Sequence, residues 1–325
     1  MRRRLLALTV VSLLVFGTAA CGDQTGKADT TSPSAVGTGQ DIPGVTVTGD
    51  FGTEPTVKIS TPLKVEKPAV EVITTGEGNA VVEGEKTLLH LYLANGSTGK
   101  KAAATYDQGK PAELQMSEDA LFPAVVQALV GQPQGSRVAI ADSVKNVYGD
   151  AGAEQLGLKA ADTAVFVVDI MSVQPKDVLD GPEGTTVAPP KGLPTVVDKD
   201  DKVTGLDFAE APAKAPQKFE VIPLIEGDGP PARDDSLVTF NYFGQVWGAD
   251  KQFDESFSKA PVPFSLGIGN LIKGWDEGLV GVKAGSRVMI VAPPEYGYGA
   301  AGNPQGGIKK NATLVFVVDV LGVDG

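Results

Sequence analysis

The feature that most constrains the fold of this 325-residue chain is that one domain is written twice. Tyr148-Gly149 recurs as Tyr298-Gly299, Gly135-Ser136-Arg137 as Gly285-Ser286-Arg287, Gly131 as Gly281, Tyr92 as Tyr242 and Phe166 as Phe316. All five pairs share one offset of 150 residues. Repetition at a single spacing marks a duplicated structural unit. The length accommodates two domains of ordinary size plus tails. We place the copies at 51–175 and 193–325.

The connecting segment, 176–192, follows Pro175 and contains Pro182, Pro189 and Pro190. Such proline density opposes a helix interior or central strand and predicts a semi-rigid spacer. Each copy begins with a related lead-in, Glu54-Pro-Thr-Val57 and Leu193-Pro-Thr-Val-Val197, which is expected to add an edge strand.

Ahead of the repeats, Arg2 to Arg4 precede an apolar run from Leu5 to Phe16. That run is too short to span a bilayer and suits the core of a signal peptide. Thr18-Ala19-Ala20 then places small residues before Cys21, the chain's single cysteine. The arrangement resembles a bacterial lipobox, with Thr18 where an aliphatic residue is usual. It implies a signal peptide at 1–20, acylation at Cys21 and export to the outer face of the cell membrane on a lipid anchor. Residues 21–50 are rich in Gly, Thr, Ser and Asp and are expected to be a flexible tether.

Periodicity in the second copy is mostly two: 219–225, 237–247, 287–292 and 313–321 alternate as strands. Only 270–280 has a helical stripe, through Leu271, Ile272, Trp275 and Leu279. One short helix against several antiparallel strands predicts an α+β half-barrel.

This copy also concentrates the aromatic residues, with thirteen of the chain's twenty against six in the first copy. Tyr242, Phe253, Trp275, Tyr298 and Phe316 stand in short distinctive contexts, and Asp254 is the carboxylate beside them. An aromatic pocket with one acid and no His, Cys or Ser cluster suits chemistry that breaks no covalent bond. It leaves two readings, rotation of a peptide bond or the binding of something apolar.

The strings that carry these residues are Val238-Thr-Phe-Asn-Tyr-Phe-Gly244, Phe253-Asp254, Pro261-Val-Pro-Phe-Ser-Leu-Gly267, Leu271-Ile-Lys-Gly-Trp-Asp-Glu-Gly-Leu279, Pro294-Glu-Tyr-Gly-Tyr-Gly299 and Ala312-Thr-Leu-Val-Phe316. Over about a hundred residues they resemble the FKBP-type peptidyl-prolyl cis-trans isomerases. The resemblance implies two tandem FKBP-like domains, each an antiparallel sheet curled around one short helix. It assigns Tyr242, Phe253 and Phe316 to the pocket wall, Trp275 to its floor, and Leu271 and Ile272 to the helix entry. Ile272 would offer its N–H to the bound peptide, Tyr298 its phenol to a ligand carbonyl, and Asp254 the pocket carboxylate. Ile308 would lie in the loop over the site. Asn270, Asn303 and Val262 depart from the family's usual residues, and the segment between Phe253 and Pro261 is one residue shorter.

The implied partners are proline-containing polypeptides, foremost unfolded exported proteins, with macrolide-type inhibitors as possible ligands. No cofactor or metal is expected. The net charge of −12 argues against nucleic acid, which needs cationic contacts to its phosphates. The competing reading is a non-catalytic holding module for such chains.

Three other patterns carry no chemistry. Gly297-Tyr-Gly-Ala-Ala-Gly302 fits a dinucleotide fingerprint, but Pro304 and Gly306-Gly307 stand where its helix must begin. His90 is the chain's one histidine, so a His-based triad is excluded. Asn95 and Asn311 open glycosylation sequons, which mean little in a bacterial protein.

At the 150 offset, Trp275 becomes Val125 and the Leu271-Ile272 pair becomes Leu121-Phe122. Tyr92, Tyr148 and Phe166 persist, and Tyr106-Asp107 is the nearest analogue of Phe253-Asp254. The first copy is therefore expected to keep the fold with weak or absent isomerase activity. Trp247 lies outside the matched pocket set and is expected to pack across strands.

Overall fold

The computed structural model describes residues 41–200 and 202–324. The signal segment and Cys21 lie outside them. The chain forms two units that divide between Val173 and Gln174.

In the first unit, β1 (Val45–Thr48) and β2 (Thr56–Ile59) make a hairpin. The main sheet comprises β3 (Ala69–Thr74), β4 (Lys86–Asn95), β5 (Lys101–Ala104), β6 (Ala112–Gln115), β7 (Arg137–Ser143) and β8 (Thr163–Val173). Its order is β3-β7-β8-β4-β5, with β6 also on β4, and every pairing is antiparallel. Two helices, α1 (Pro123–Leu129) and α2 (Val144–Tyr148), complete it where one was expected, because Ser143 caps a second helical turn directly after β7. Val125, Val126 and Leu129 of α1 pack with Leu91, Leu93, Ile140 and Phe166 on one sheet face. Ile42 and Val45 cover the other, over Tyr92, Val165 and Val167.

The second unit repeats this plan. β9 (Gly184–Thr186) is followed by a hairpin of β10 (Thr195–Lys199) and β11 (Lys202–Asp207). The sheet strands are β12 (Glu220–Gly227), β13 (Leu237–Val246), β14 (Gln252–Glu255), β15 (Val262–Ser265), β16 (Arg287–Ala292) and β17 (Leu314–Val323). They run β14-β13-β17-β16-β12-β9, with β15 also on β13. Helix α3 is Lys273–Gly278, shorter than the 270–280 stripe because Ile272 is still extended (φ −66, ψ 149).

Three sequence boundaries move. The tether does not reach residue 50: Ile42 is buried and β1 begins at Val45, because Ile42, Val45 and Val47 have an apolar sheet face to cover. The proline-rich segment is more than a spacer. Its Gly184–Thr186 joins the edge of β12, a position proline-flanked residues tolerate because one side of an edge strand needs no partner. The lead-ins add no edge strand to the main sheets. Each forms its own hairpin, which spreads over the sheet face opposite the helix. Trp247 fastens the second: its Nε1 donates to Pro212 O at 3.0 Å and its ring meets Phe208 edge-on at 5.4 Å.

A buried arginine anchors each lead-in. Arg137 binds both oxygens of Asp169 at 2.6 Å and donates to the carbonyls of Gly49, Asp50 and Thr53. Arg287 likewise grips Asp319, and reaches Asp198 on β10 at 2.8 Å. Pairing such a cation with a buried carboxylate and further acceptors is what makes its burial tolerable. In the first unit Tyr106 also donates to Asp169 (2.7 Å) and stacks on His90 at 4.2 Å. Burial lowers the His90 pKa, favouring the neutral ring, although Asp169 pulls the other way.

Candidate active site

The second unit contains a cavity of about 520 Å³ between β13, β14, β17, the entry to α3 and the segment after β16. Its position follows from strand alternation. Phe240 and Tyr242 of β13 point to the helix side, whereas Phe243 points to the lead-in side. Gly244 continues the inward row without a side chain. A Cβ there would lie 2.7 Å from Phe253 Cζ and 3.0 Å from Phe316 Cε1, so glycine lets those two rings meet. They do so edge-on, 5.6 Å apart.

A bulge in β14 brings Phe253 and Asp254 to the same cavity. Gly244 faces Asp254 while Gln245 faces Gln252, leaving Phe253 as the extra residue. Adjacent strand residues otherwise point to opposite faces, and a bulge re-aims one of them.

Trp275 forms the floor. It is 4% exposed, and the rings of Phe240, Tyr242, Phe264 and Phe316 stand edge-on to it at 5.3–5.7 Å. Its Nε1 is buried and has no hydrogen-bond partner among the described residues. Leu271 and Ile272 lie at the entry to α3, where the Ile272 amide precedes the helical hydrogen-bond ladder. Asp276 fixes this entry by accepting from Gly267 N (3.0 Å) and Gly269 N (3.1 Å). Tyr298, at the mouth, is 36% exposed.

The polar chemistry is sparse. The Tyr242 hydroxyl donates to Asp254 Oδ2 at 2.6 Å, and Asp254 Oδ1 accepts from Glu255 N at 2.9 Å. Burial, then the Asp254 hydrogen bond, raise the Tyr242 pKa well above the usual phenol range. The phenol therefore stays protonated and orients its neighbour. With no Ser, Cys or His in the lining, the site is suited to holding and twisting an apolar group.

Tyr242, Phe253, Asp254, Leu271, Ile272, Trp275, Tyr298 and Phe316 are thus brought together as expected from the motifs. Ile308 is not among the lining residues: it is 3% exposed, pairs with Asn303 through two backbone hydrogen bonds and packs in the core. Phe264, Asn270, Lys273 and Gly297 also line the cavity. Phe264 was legible from the alternation of Val262, Phe264 and Leu266; nothing in the motif marked Lys273.

The first unit differs from the expected correspondence. Phe166 faces Leu93, and Phe316 faces Gly244, so β4 and β13 are offset by 151 residues whereas β8 and β17 keep 150. The residue opposite Val168 is Leu91, as Tyr242 is opposite Val318. The hydroxyls agree: Leu91 N donates to Thr105 Oγ1 and Tyr242 N to Ser256 Oγ, both at 2.9 Å. Tyr92 therefore corresponds to Phe243 and faces the lead-in, because a one-residue slip exchanges the faces of a strand.

The same register places Ala102-Ala103 at the positions of Phe253-Asp254. Tyr106-Asp107 does not replace them; Tyr106 belongs to the Asp169 network. Where the other unit is hollow, Phe122 meets Tyr148 at 4.9 Å and Phe166 at 6.0 Å.

Comparison with known proteins finds likeness across both units. The sequence pattern described as FKBP-type peptidyl-prolyl cis-trans isomerase matches residues 78–171 and 229–321. Over 109 residues the chain is 36% identical to an FK506-binding protein of Streptomyces anulatus, covering 33% of this chain and 88% of that one. It is 37% identical over 107 residues to the peptidyl-prolyl cis-trans isomerase Fkbp12 of Drosophila melanogaster, covering 32% of this chain and 97% of that one. With the Escherichia coli FKBP-type isomerase FkpA it shares 39% identity over 105 residues, 32% of this chain but 37% of that one.

Proposed function

Because the chain belongs to the FKBP-type peptidyl-prolyl cis-trans isomerase family, we propose that its isomerase centre is the cavity of the second unit. The observation that carries this reading is the set of aromatic rings around Trp275, with Asp254 held by Tyr242. The corresponding positions of the first unit hold Val125, Leu91 and Ala103.

The barrier to turning an Xaa-Pro bond is the loss of amide resonance, while the cis and trans ends are close in energy. The twisted amide has less charge separation than the planar one. A dry aromatic site therefore disfavours the planar ground state relative to the twisted one. The Ile272 N–H and the Tyr298 hydroxyl hold carbonyls beside the proline, so only one side of the bond rotates. Asp254 fixes Tyr242 and supplies a negative field at the wall. No proton moves.

The test is Xaa-Pro isomerisation by the full chain. Asp254→Ala and Tyr298→Phe should each lower kcat/KM about tenfold, the equivalent of one charge-assisted or well-placed hydrogen bond. Unchanged turnover in both variants would remove this cavity as the site. The name of the Streptomyces relative carries FK506, and the same apolar cavity is where we place a macrolide ligand of this chain.

The N-terminal pattern supports export and acylation at Cys21, with exported, proline-containing chains as clients. Incorporation of a labelled fatty acid should be lost in Cys21→Ser, and incorporation that persists would refute the anchor. The first unit fits a spacer or substrate-holding module.

A further inference from the structure

We propose that Lys273 makes the site selective for substrates with a carboxylate on a residue adjacent to the proline. The inference rests on the isomerase reading of the cavity.

Two of the cavity's lining residues, Asp254 and Lys273, are charged. Both Asp254 oxygens are engaged, one by the Tyr242 hydroxyl and one by the Glu255 amide. Lys273 is differently placed. Its ammonium lies 4.4 Å from the centroid of the Tyr296 ring, and that ring stacks on Phe219 at 4.2 Å and 5°. The column is built into the fold: a Cβ on Gly278 would come within 2.9 Å of the Phe219 ring. Cation, Tyr296 and Phe219 thus form a ladder that steadies the side chain of a lining residue and limits the rotamer entropy lost on meeting an anion.

One acid already faces this cation. Glu277, four residues on, is 3.7 Å away, and both side chains are about half exposed. A helical pair of this kind is weak and solvent-screened, so it leaves the ammonium available to a better-placed carboxylate. Asn270, also on the lining, adds no opposing charge.

The column is absent from the unit that lacks the aromatic enclosure. There Pro123, Asn146 and Pro68 stand at the places of Lys273, Tyr296 and Phe219. The cation and the cavity thus occur together.

Exchange NMR on two peptide pairs tests the idea: Glu-Pro against Gln-Pro, and Pro-Glu against Pro-Gln. In the wild-type chain at low salt, kcat/KM for the glutamate peptide should exceed that for its glutamine twin by about threefold in at least one pair. The ratio should fall to about one at high salt and in Lys273→Gln, and invert in Lys273→Glu. It should rise in Glu277→Gln, which frees the ammonium. A ratio identical in wild type and Lys273→Gln for both pairs would overturn the proposal. Absence of turnover of either glutamine peptide by the wild type would overturn the isomerase reading along with it.

Discussion

Full-length protein carrying Trp275→Val should lose Xaa-Pro isomerase activity by about 100-fold or more, as measured by kcat/KM on a proline tetrapeptide. The substitution installs the residue that the first unit holds at the same place, Val125. Trp275 is in contact with four aromatic rings and is nearly fully buried, so its loss opens the cavity floor to water. Truncating a buried tryptophan also costs about 3–5 kcal/mol of stability at the alanine extreme, and somewhat less for valine. Trp275→Phe separates the two effects. It keeps an aromatic floor and should restore part of the activity while the fold, followed by near-ultraviolet circular dichroism, stays native. Because the first unit is intact in these variants, residual turnover near the wild-type level would place the activity there and refute its assignment to the second unit.

The second large effect is on stability. Asp169→Ala should destabilise the first unit by about 3–5 kcal/mol, read from its denaturant midpoint, because it leaves a buried guanidinium without its counter-charge. Arg137 is 1% exposed, and Asp169 also accepts from Tyr106 and from Gly52 N. Three residues from three parts of the chain thus lose one acceptor. Tyr106→Phe removes a single bond and should cost only about 1 kcal/mol. A similar cost in both variants would mean that the carboxylate is not the keystone of the lead-in attachment. The equivalent pair in the second unit, Arg287 and Asp319, is buried in the same way, with Asp198 from β10 as a second acid. The clamp is common to both copies, whereas the aromatic set around Trp275 is not. That contrast separates what the fold requires from what the chemistry requires.

Much of this was readable along the chain. The strings around Tyr242, Phe253, Trp275, Tyr298 and Phe316 identify residues that the structure gathers into one cavity. Arg137 and Arg287 were visible as parts of a repeated Gly-Ser-Arg turn, although their partners Asp169 and Asp319 lie 32 residues on and become neighbours only through the β7–β8 and β16–β17 registers. Ile308 was drawn to the site by its motif position, yet its short bridge to Asn303 turns it into the core. The lead-ins were expected at a sheet edge, where proline is tolerated, but a segment's residue types do not say which surface it will cover.

Sequence alone determined the duplication, the β-rich plan of each copy, and the concentration of aromatics in the second. These are properties of residue type and spacing, which survive any rigid placement of the strands. Tertiary structure alone decided which side each residue faces. A constant offset of 150 pairs Tyr92 with Tyr242, but strand pairing shifts that segment by one and sends Tyr92 to the lead-in side, with Leu91 in its stead. With a side-chain period of two, a single-residue slip is the difference between a pocket wall and the opposite face. The two copies share a fold, and on these registers Leu91, Ala102 and Val125 stand where the second has Tyr242, Phe253 and Trp275.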